Sequence, residues 1–200
     1  MNHYTIVPMK GEIRWEDVPW LYVENQQWGT YPDIRMGAQI CYSDRGLHVH
    51  MRAWERKIRA ANRGRLDSVC DDSCMEFFVS PVAEDPRYFN IEINPNGCVY
   101  LGFATGKLDL LRLVPELNEA IINKDVRYLE DGWELWYTVP LRFIQQFFPG
   151  YTLEPGRKLR ANLFKCGDLT VMPHFFSWNR IDEDYPNFHL RQYFGEMELA

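Results

Sequence analysis

The sequence predicts an all-β fold: an antiparallel β-sandwich, jelly-roll-like, of about ten strands with one short helix. Short segments alternate apolar and polar residues along most of the chain, the period of a half-buried strand. The triplets Asp44-Arg45-Gly46, Pro95-Asn96-Gly97 and Glu130-Asp131-Gly132 join pairs of such segments at hairpin positions. Aromatic residues make up 15% of the sequence, and they favour strands.

The elements follow in chain order. Met36 to Ser43 reads as a first core strand. Gly46 to Ala53 sets Leu47, Val49 and Met51 against His48, His50 and Arg52. Cys74 to Ser80 and Arg87 to Asn94 are the next pair, and Cys98 to Phe103 follows its turn directly. Asp125 to Leu129 and Gly132 to Val139 flank the third hairpin, with Trp133, Leu135, Tyr137 and Val139 on one face. Leu141 to Phe148, stopped by Pro149-Gly150, is the helix. Arg157 to Gly167 alternates again, and short strands at His174 to Trp178 and Gly195 to Leu199 complete the set.

With 200 residues, no low-complexity linker and no internal repeat, the chain reads as one domain over residues 1–200. It can bury a core without disulfides or metals. The net charge of −6 attracts no polyanion, so nucleic acid is not an expected partner. The basic run Arg52, Arg56, Lys57, Arg59, Arg63, Arg65 is answered by Asp67, Asp71 and Asp72, and reads as a solvated loop. No stretch approaches the roughly 20 apolar residues of a membrane span. The five cysteines form no Cys-x-x-Cys pair and read as reduced, buried thiols. That usage, with no export signal at the start, predicts a cytoplasmic protein, or a secreted one if a signal peptide precedes this sequence.

The strand at Arg87 to Asn94 raises the question of function. Phe89, Ile91 and Ile93 face one way; Asn90, Glu92 and Asn94 face the other. Glu76, Arg160 and Asn162 hold the same kind of position in neighbouring strands, as do His48, His50 and Arg52. Antiparallel sheets are often polar on one side. Asparagine, however, is depleted in strands, so Asn90, Asn94 and Asn162 need a reason. A field of amides, carboxylates and guanidinium groups suits sugar hydroxyls, which both donate and accept. Trp54 and Trp178, at strand ends, are candidates to lie flat on a pyranose ring. Trp15, Trp20, Trp133 and Trp136 are read as core or support.

Other chemistries have less behind them. Glu76 and Glu92, on paired strands, could stand at the separation of a glycosidase pair. A small sandwich without long active-site loops has few ways to enclose a substrate, so the expectation is no enzyme. His48 and His50 lack a third metal ligand in the sequence. Asp71-Asp72 and Asp182-Glu183-Asp184 offer hard oxygen ligands, so calcium is the one cofactor to consider. A sandwich that serves only as an interaction domain is the alternative from a different class.

Five segments in order, "DDSCMEFFVSP…YFNIEINPNG", "GWELWYTVPL", "LRANLFKCGD", "HFFSWNRI" and "PNFHLRQYFGEMEL", resemble the carbohydrate-binding module family 9-like proteins. The resemblance runs from about Trp15 to Leu199. It implies a β-sandwich that binds a mono- or oligosaccharide of xylan or cellulose type without cleaving it. In that family the sugar lies between two tryptophans, and structural calcium is present. Trp178 matches the later tryptophan by its place in "SWN", and Trp54 stands for the earlier one. Glu76 matches the acid of the D-S-x-x-E-F-F segment and Asn94 the asparagine before the turn. Glu92 stands where the characterised modules carry arginine. Asn90, Arg160 and Asn162 join the set from the polar-face reading alone.

Overall fold

The computed structural model describes residues 1–114 and 121–200. Among them, β1 (His3–Pro8), β2 (Leu21–Val23) and β3 (Asn25–Gln26) precede the long hairpin β4 (Arg35–Ser43) and β5 (Gly46–Trp54). Then come β6 (Cys74–Ser80), β7 (Tyr88–Ile93), β8 (Val99–Ala104), β9 (Leu111–Arg112), β10 (Ile122–Leu129) and β11 (Gly132–Pro140). The helix α1 (Leu141–Phe147) leads into β12 (Lys158–Cys166), β13 (Phe175–Ser177) and β14 (Gly195–Leu199). Each strand and the helix expected from the sequence is present. The structure adds β1, β2, β3 and β9, so the described residues hold fourteen strands rather than about ten.

The pairing is not purely antiparallel. One hydrogen-bonded path runs β10-β11-β5-β4-β1-β14-β12-β6-β7-β8-β9. It curls so that its two halves face each other across a shared core. β1 makes the join: His3 to Ile6 pair in parallel with β14, then Val7 and Pro8 pair in parallel with β4. The sheet is therefore mixed. Its parallel contacts involve strands from the two chain ends, which no local turn signal reports.

The alternation works as the period of two demands. Leu47, Val49, Met51 and Ala53 of β5 meet Phe77, Val79, Phe89, Ile91, Leu159 and Leu163 inside. Burying such side chains stabilises by about 1.5–3 kcal/mol each. Two turn glycines are required by geometry. Gly97 has φ +73°, and a Cβ on Gly46 would lie 2.1 Å from the Val139 carbonyl oxygen. The helix packs Phe143 and Phe147 on Phe89, with ring centroids 5.2 Å apart in both pairs.

Candidate functional site

The outer face of the β12-β6-β7-β8 half carries Glu76, Asn90, Glu92, Asn94, Arg160 and Asn162 together, as the alternation predicts. Glu76 stands directly across from Glu92. His48, His50 and Arg52 do not share this face; they lie outside the other half, on β5. Both rings of the histidine pair are engaged, His48 by Ser43 and Thr138, His50 by Gln39 and Glu134.

The asparagines divide into two kinds. Asn94 donates to Asn62 O and Asp72 Oδ2 and accepts from Cys98 N, each at 2.9 Å. Asn162 donates to Asn179 O at 2.9 Å and Tyr193 O at 3.3 Å, and accepts from Asn179 N at 2.8 Å. These two fasten loops to the sheet, which is the reason for their presence in strands. Arg160 likewise donates to Phe194 O at 2.5 Å. Asn90 differs: it is fully buried, and neither amide atom meets a well-aligned hydrogen-bond partner among the described residues, although Glu92 lies beside it.

Loops cover this face. Phe188 stacks on Phe164 with centroids 4.1 Å apart, and Phe78, Tyr88, Ile181 and Phe194 form a second apolar cluster over the sheet. Glu76 and Glu92 are consequently buried, at 2% and 8% exposure. Burial first, and then its carboxyl neighbours, raise Glu76 well above the ordinary range. Burial likewise raises Glu92, to about 7. Both carboxyls are pushed the same way, whereas a glycosidase pair works with one acid and one base.

The tryptophans fall elsewhere. Trp178 was expected at the surface but is 5% exposed and belongs to the inner core. Its backbone N–H donates to Leu163 O at 2.8 Å, so the strand alternation continues one residue past β13 and turns the indole inward, beside Phe176. Trp54 points outward from the end of β5 and is half-buried. Arg52 lies over its ring at 4.8 Å and Arg35 at 5.6 Å from the centroid. The two indoles therefore sit on different faces. Trp20, read as core or support, is 36% exposed and packs near Trp54 with ring centroids 6.3 Å apart, a supporting position.

Trp54 lines a cleft of about 1060 Å³ that sequence spacing did not reveal. Asp33 enters it from before β4, Arg35 from the first position of β4, Arg56 and Lys57 from after β5, Asp131 from the β10–β11 turn and Thr170 from the β12–β13 loop. Arg52 pairs with Asp131 at 3.0 Å beside it. Glu55 and His174 belong to its inner wall. Hydroxyl-sized donors and acceptors here surround an indole in an open concavity, the usual composition of a small-molecule site.

The calcium ligands read from the sequence are partly engaged. Asp72 is fully buried, and its carboxylate accepts from Arg59, Ala61 N, Asn62 N and Asn94. It anchors the basic loop rather than facing solvent.

The sequence matches the profile of carbohydrate-binding family 9 over residues 9–199. The chain belongs to carbohydrate-binding family 9. Solved structures carry the same fold. A presumptive carbohydrate-binding protein from Bacteroides uniformis ATCC 8492 superimposes with a TM-score of 0.82 at 23% identity, covering 99% of both chains. A family 9 module from Caldicellulosiruptor kristjanssonii, solved with cellotriose, gives 0.70 at 12% identity over 99% of this chain and 93% of that one. The same source's module with glucose gives 0.71 at 11% identity over 100% and 96%. No curated protein matches the sequence. Membership in family 9 accounts for the curled all-β architecture. It does not choose between the covered outer face and the Trp54 cleft, and that choice turns on geometry.

Proposed function

We propose that this family 9 protein is a non-catalytic carbohydrate-binding module, and that a saccharide unit sits in the Trp54 cleft. The observation that carries the reading is the coincidence, in one open concavity, of Trp54 with Asp33, Arg35, Arg56 and Asp131. The indole supplies apolar surface for the C–H face of a pyranose. Guanidinium groups donate to its hydroxyls and carboxylates accept from them. Glu76, Asn90 and Glu92 offer similar chemistry but lie under loops at 8% exposure or less. Glucose and cello- or xylo-oligosaccharides are the first ligands to test.

Calorimetric titration with that panel tests the proposal. Affinities on the order of micromolar to millimolar are expected for so few ligand atoms. Binding that is lost in Trp54→Ala and Asp131→Ala, and kept in Glu92→Gln, supports the cleft. Binding kept in the first two and lost in Glu92→Gln moves the sugar to the covered face. No heat with any sugar at millimolar concentration overturns the module reading.

A further inference from the structure

We propose that Cys74, Cys166 and Glu76 form a binding site for a thiophilic divalent cation, zinc above all. The site lies on the outer face of the β6–β12 pair, apart from the Trp54 cleft, and does not rest on the carbohydrate reading.

Cys74 and Cys166 are direct cross-strand partners, and Glu76 follows Cys74 by two residues, so all three side chains leave the same face. Their two sulfurs and one carboxylate oxygen all lie within 4.8 Å of one another. Tetrahedral zinc, with bonds of about 2.3 Å to sulfur and 2.0–2.2 Å to oxygen, sets its ligand atoms roughly 3.5–3.8 Å apart. A small inward adjustment therefore closes the set, with water in the fourth position.

The surroundings point to a cation rather than to ordinary thiol packing. Glu76 is 2% exposed, and its hydrogen-bond donor is the Cys166 thiol, at 2.9 Å. Among the described residues no lysine or arginine forms an ion pair with it. Lys165 neighbours Cys166 in sequence, but its ammonium lies on the inner face, 3.0 Å from Glu55. Directly across from Glu76 is a second buried carboxyl, Glu92. Two buried carboxyls and two buried thiols thus gather with no cationic side chain in ion-pair contact with Glu76 among the described residues, Lys165 and Arg112 acting on the two acids only from farther off. A divalent ion would take the place that no side-chain cation fills. Each thiol gives its proton to solvent as the metal takes its place, so the two thiolates match the charge of the ion, and the Glu76 carboxylate, as third ligand, leaves the set with one negative charge.

A second group of ligand atoms adjoins the site toward the surface. Cys70, Asp71 and Asp168 form a second trio whose ligand atoms also lie within 4.8 Å of one another, half-buried to exposed. The Cys166 thiol reaches the Cys70 carbonyl at 3.7 Å, and Asp168 N donates to that carbonyl at 3.0 Å, so the outer trio adjoins the inner one. Two thiolates favour zinc over calcium or magnesium, which take oxygen ligands.

The test uses the reduced, full-length protein under anaerobic conditions, titrated with cobalt(II) and then zinc(II). The expected result is one cobalt per chain, with a thiolate-to-cobalt charge-transfer band and the intense visible bands of tetrahedral coordination, both erased by zinc. Cys41→Ser, altering a thiol outside the cluster, keeps the bands. Cys74→Ser with Cys166→Ser abolishes them. Should that double variant fail to fold, Glu76→Gln serves instead, weakening zinc binding about tenfold or more. A reduced protein with no charge-transfer band overturns the proposal. So do bands that survive in a folded double variant, or a Cys74–Cys166 disulfide found by peptide mass spectrometry in protein isolated without reductant.

Discussion

The Lys165 ammonium lies 3.0 Å from Glu55 Oε1, with the two side chains 0% and 2% exposed. Trp133 donates to the same oxygen at 2.8 Å, Ser73 to the other at 2.9 Å, and His174 Nε2 sits 2.7 Å from the ammonium. Burial alone pushes the Glu55 carboxyl up; Lys165 and Trp133 reverse this and hold it below its ordinary range. The pair ties β12 to the end of β5, at the inner wall of the Trp54 cleft. Lys165→Met leaves Glu55 buried without its counter-charge and destabilises by about 3–5 kcal/mol. Urea unfolding measures this. Adding Glu55→Gln to Lys165→Met recovers part of the loss. A single variant within 1 kcal/mol of the parent, roughly the value of an exposed pair, removes the assignment.

The two tryptophans singled out by sequence separate in their effects. Trp54→Ala weakens sugar binding by about tenfold or more, equivalent to ~1.4 kcal/mol, while leaving most of the stability. Trp178→Phe does the opposite, because the indole is enclosed: a Cβ on Gly195 would lie 2.5 Å from its ring. It lowers stability by about 1–3 kcal/mol through the space it leaves, and leaves affinity within about twofold. Paired calorimetry and denaturation on both variants check the division.

Acid destabilises the fold through its buried histidines, His48 and His189 among them. Burial pushes His48, with Arg45 adding to the effect against Asp44, and His189, with Lys107 adding, down to about 4 from 6.5. Their neutral rings are held by Ser43 and Thr138, and by Tyr88. Since the folded values lie below the unfolded one, the unfolded chain binds more protons between pH 6.5 and 4. The stabilisation is complete above the upper limit and lost as pH falls through the window, at ~1 kcal/mol per pH unit for each ring. Denaturation midpoints across that range show the slope, and His48→Gln or His189→Gln each flatten it. Parallel curves for parent and variants contradict the assignment.

The architecture was legible where it depends on local pattern. Glu130-Asp131-Gly132 marked its hairpin because Gly132 backs onto β5, where a Cβ would meet the Ala53 carbonyl at 2.0 Å. β1 escaped notice because His3 to Pro8 pairs with strands far away in sequence. The polar face was legible in part: alternation with strand pairing places Glu76, Asn90, Glu92, Asn94 and Asn162 together, whereas His48, His50 and Arg52, read with them, lie outside the other half. What alternation does not tell is what covers the face. Loop packing by Phe188 and Phe194 decides that Glu76 is buried. The cleft was invisible for a related reason: Trp54 ends β5, while Asp33, Asp131 and Thr170 come from three separate connections. Lys165 inside the core shows the converse, a charge placed by period where composition would put a leucine.

The strand asparagines supply a last contrast. Asn162 and Asn90 are both fully buried on the same face, yet the first bonds the loop at Asn179 and Tyr193 while the second finds no well-aligned partner among the described residues. Removing a side chain that satisfies buried groups costs about 1–3 kcal/mol for each group left unpaired. Asn162→Ala takes the partner from Asn179 N, which bonds its Oδ1 at 2.8 Å, and from the Asn179 carbonyl, while the Tyr193 carbonyl keeps Asn179 Nδ2 at 2.7 Å. It should destabilise by several kcal/mol and speed amide exchange at Asn179. At Asn90 an apolar, β-branched replacement removes an amide whose neighbour is the Glu92 carboxyl, without a well-aligned bond, so Asn90→Val costs about 1 kcal/mol or less. Urea midpoints for the two variants decide the matter: equal losses would mean that Asn90 is held as firmly as Asn162, and that the contrast between them is false.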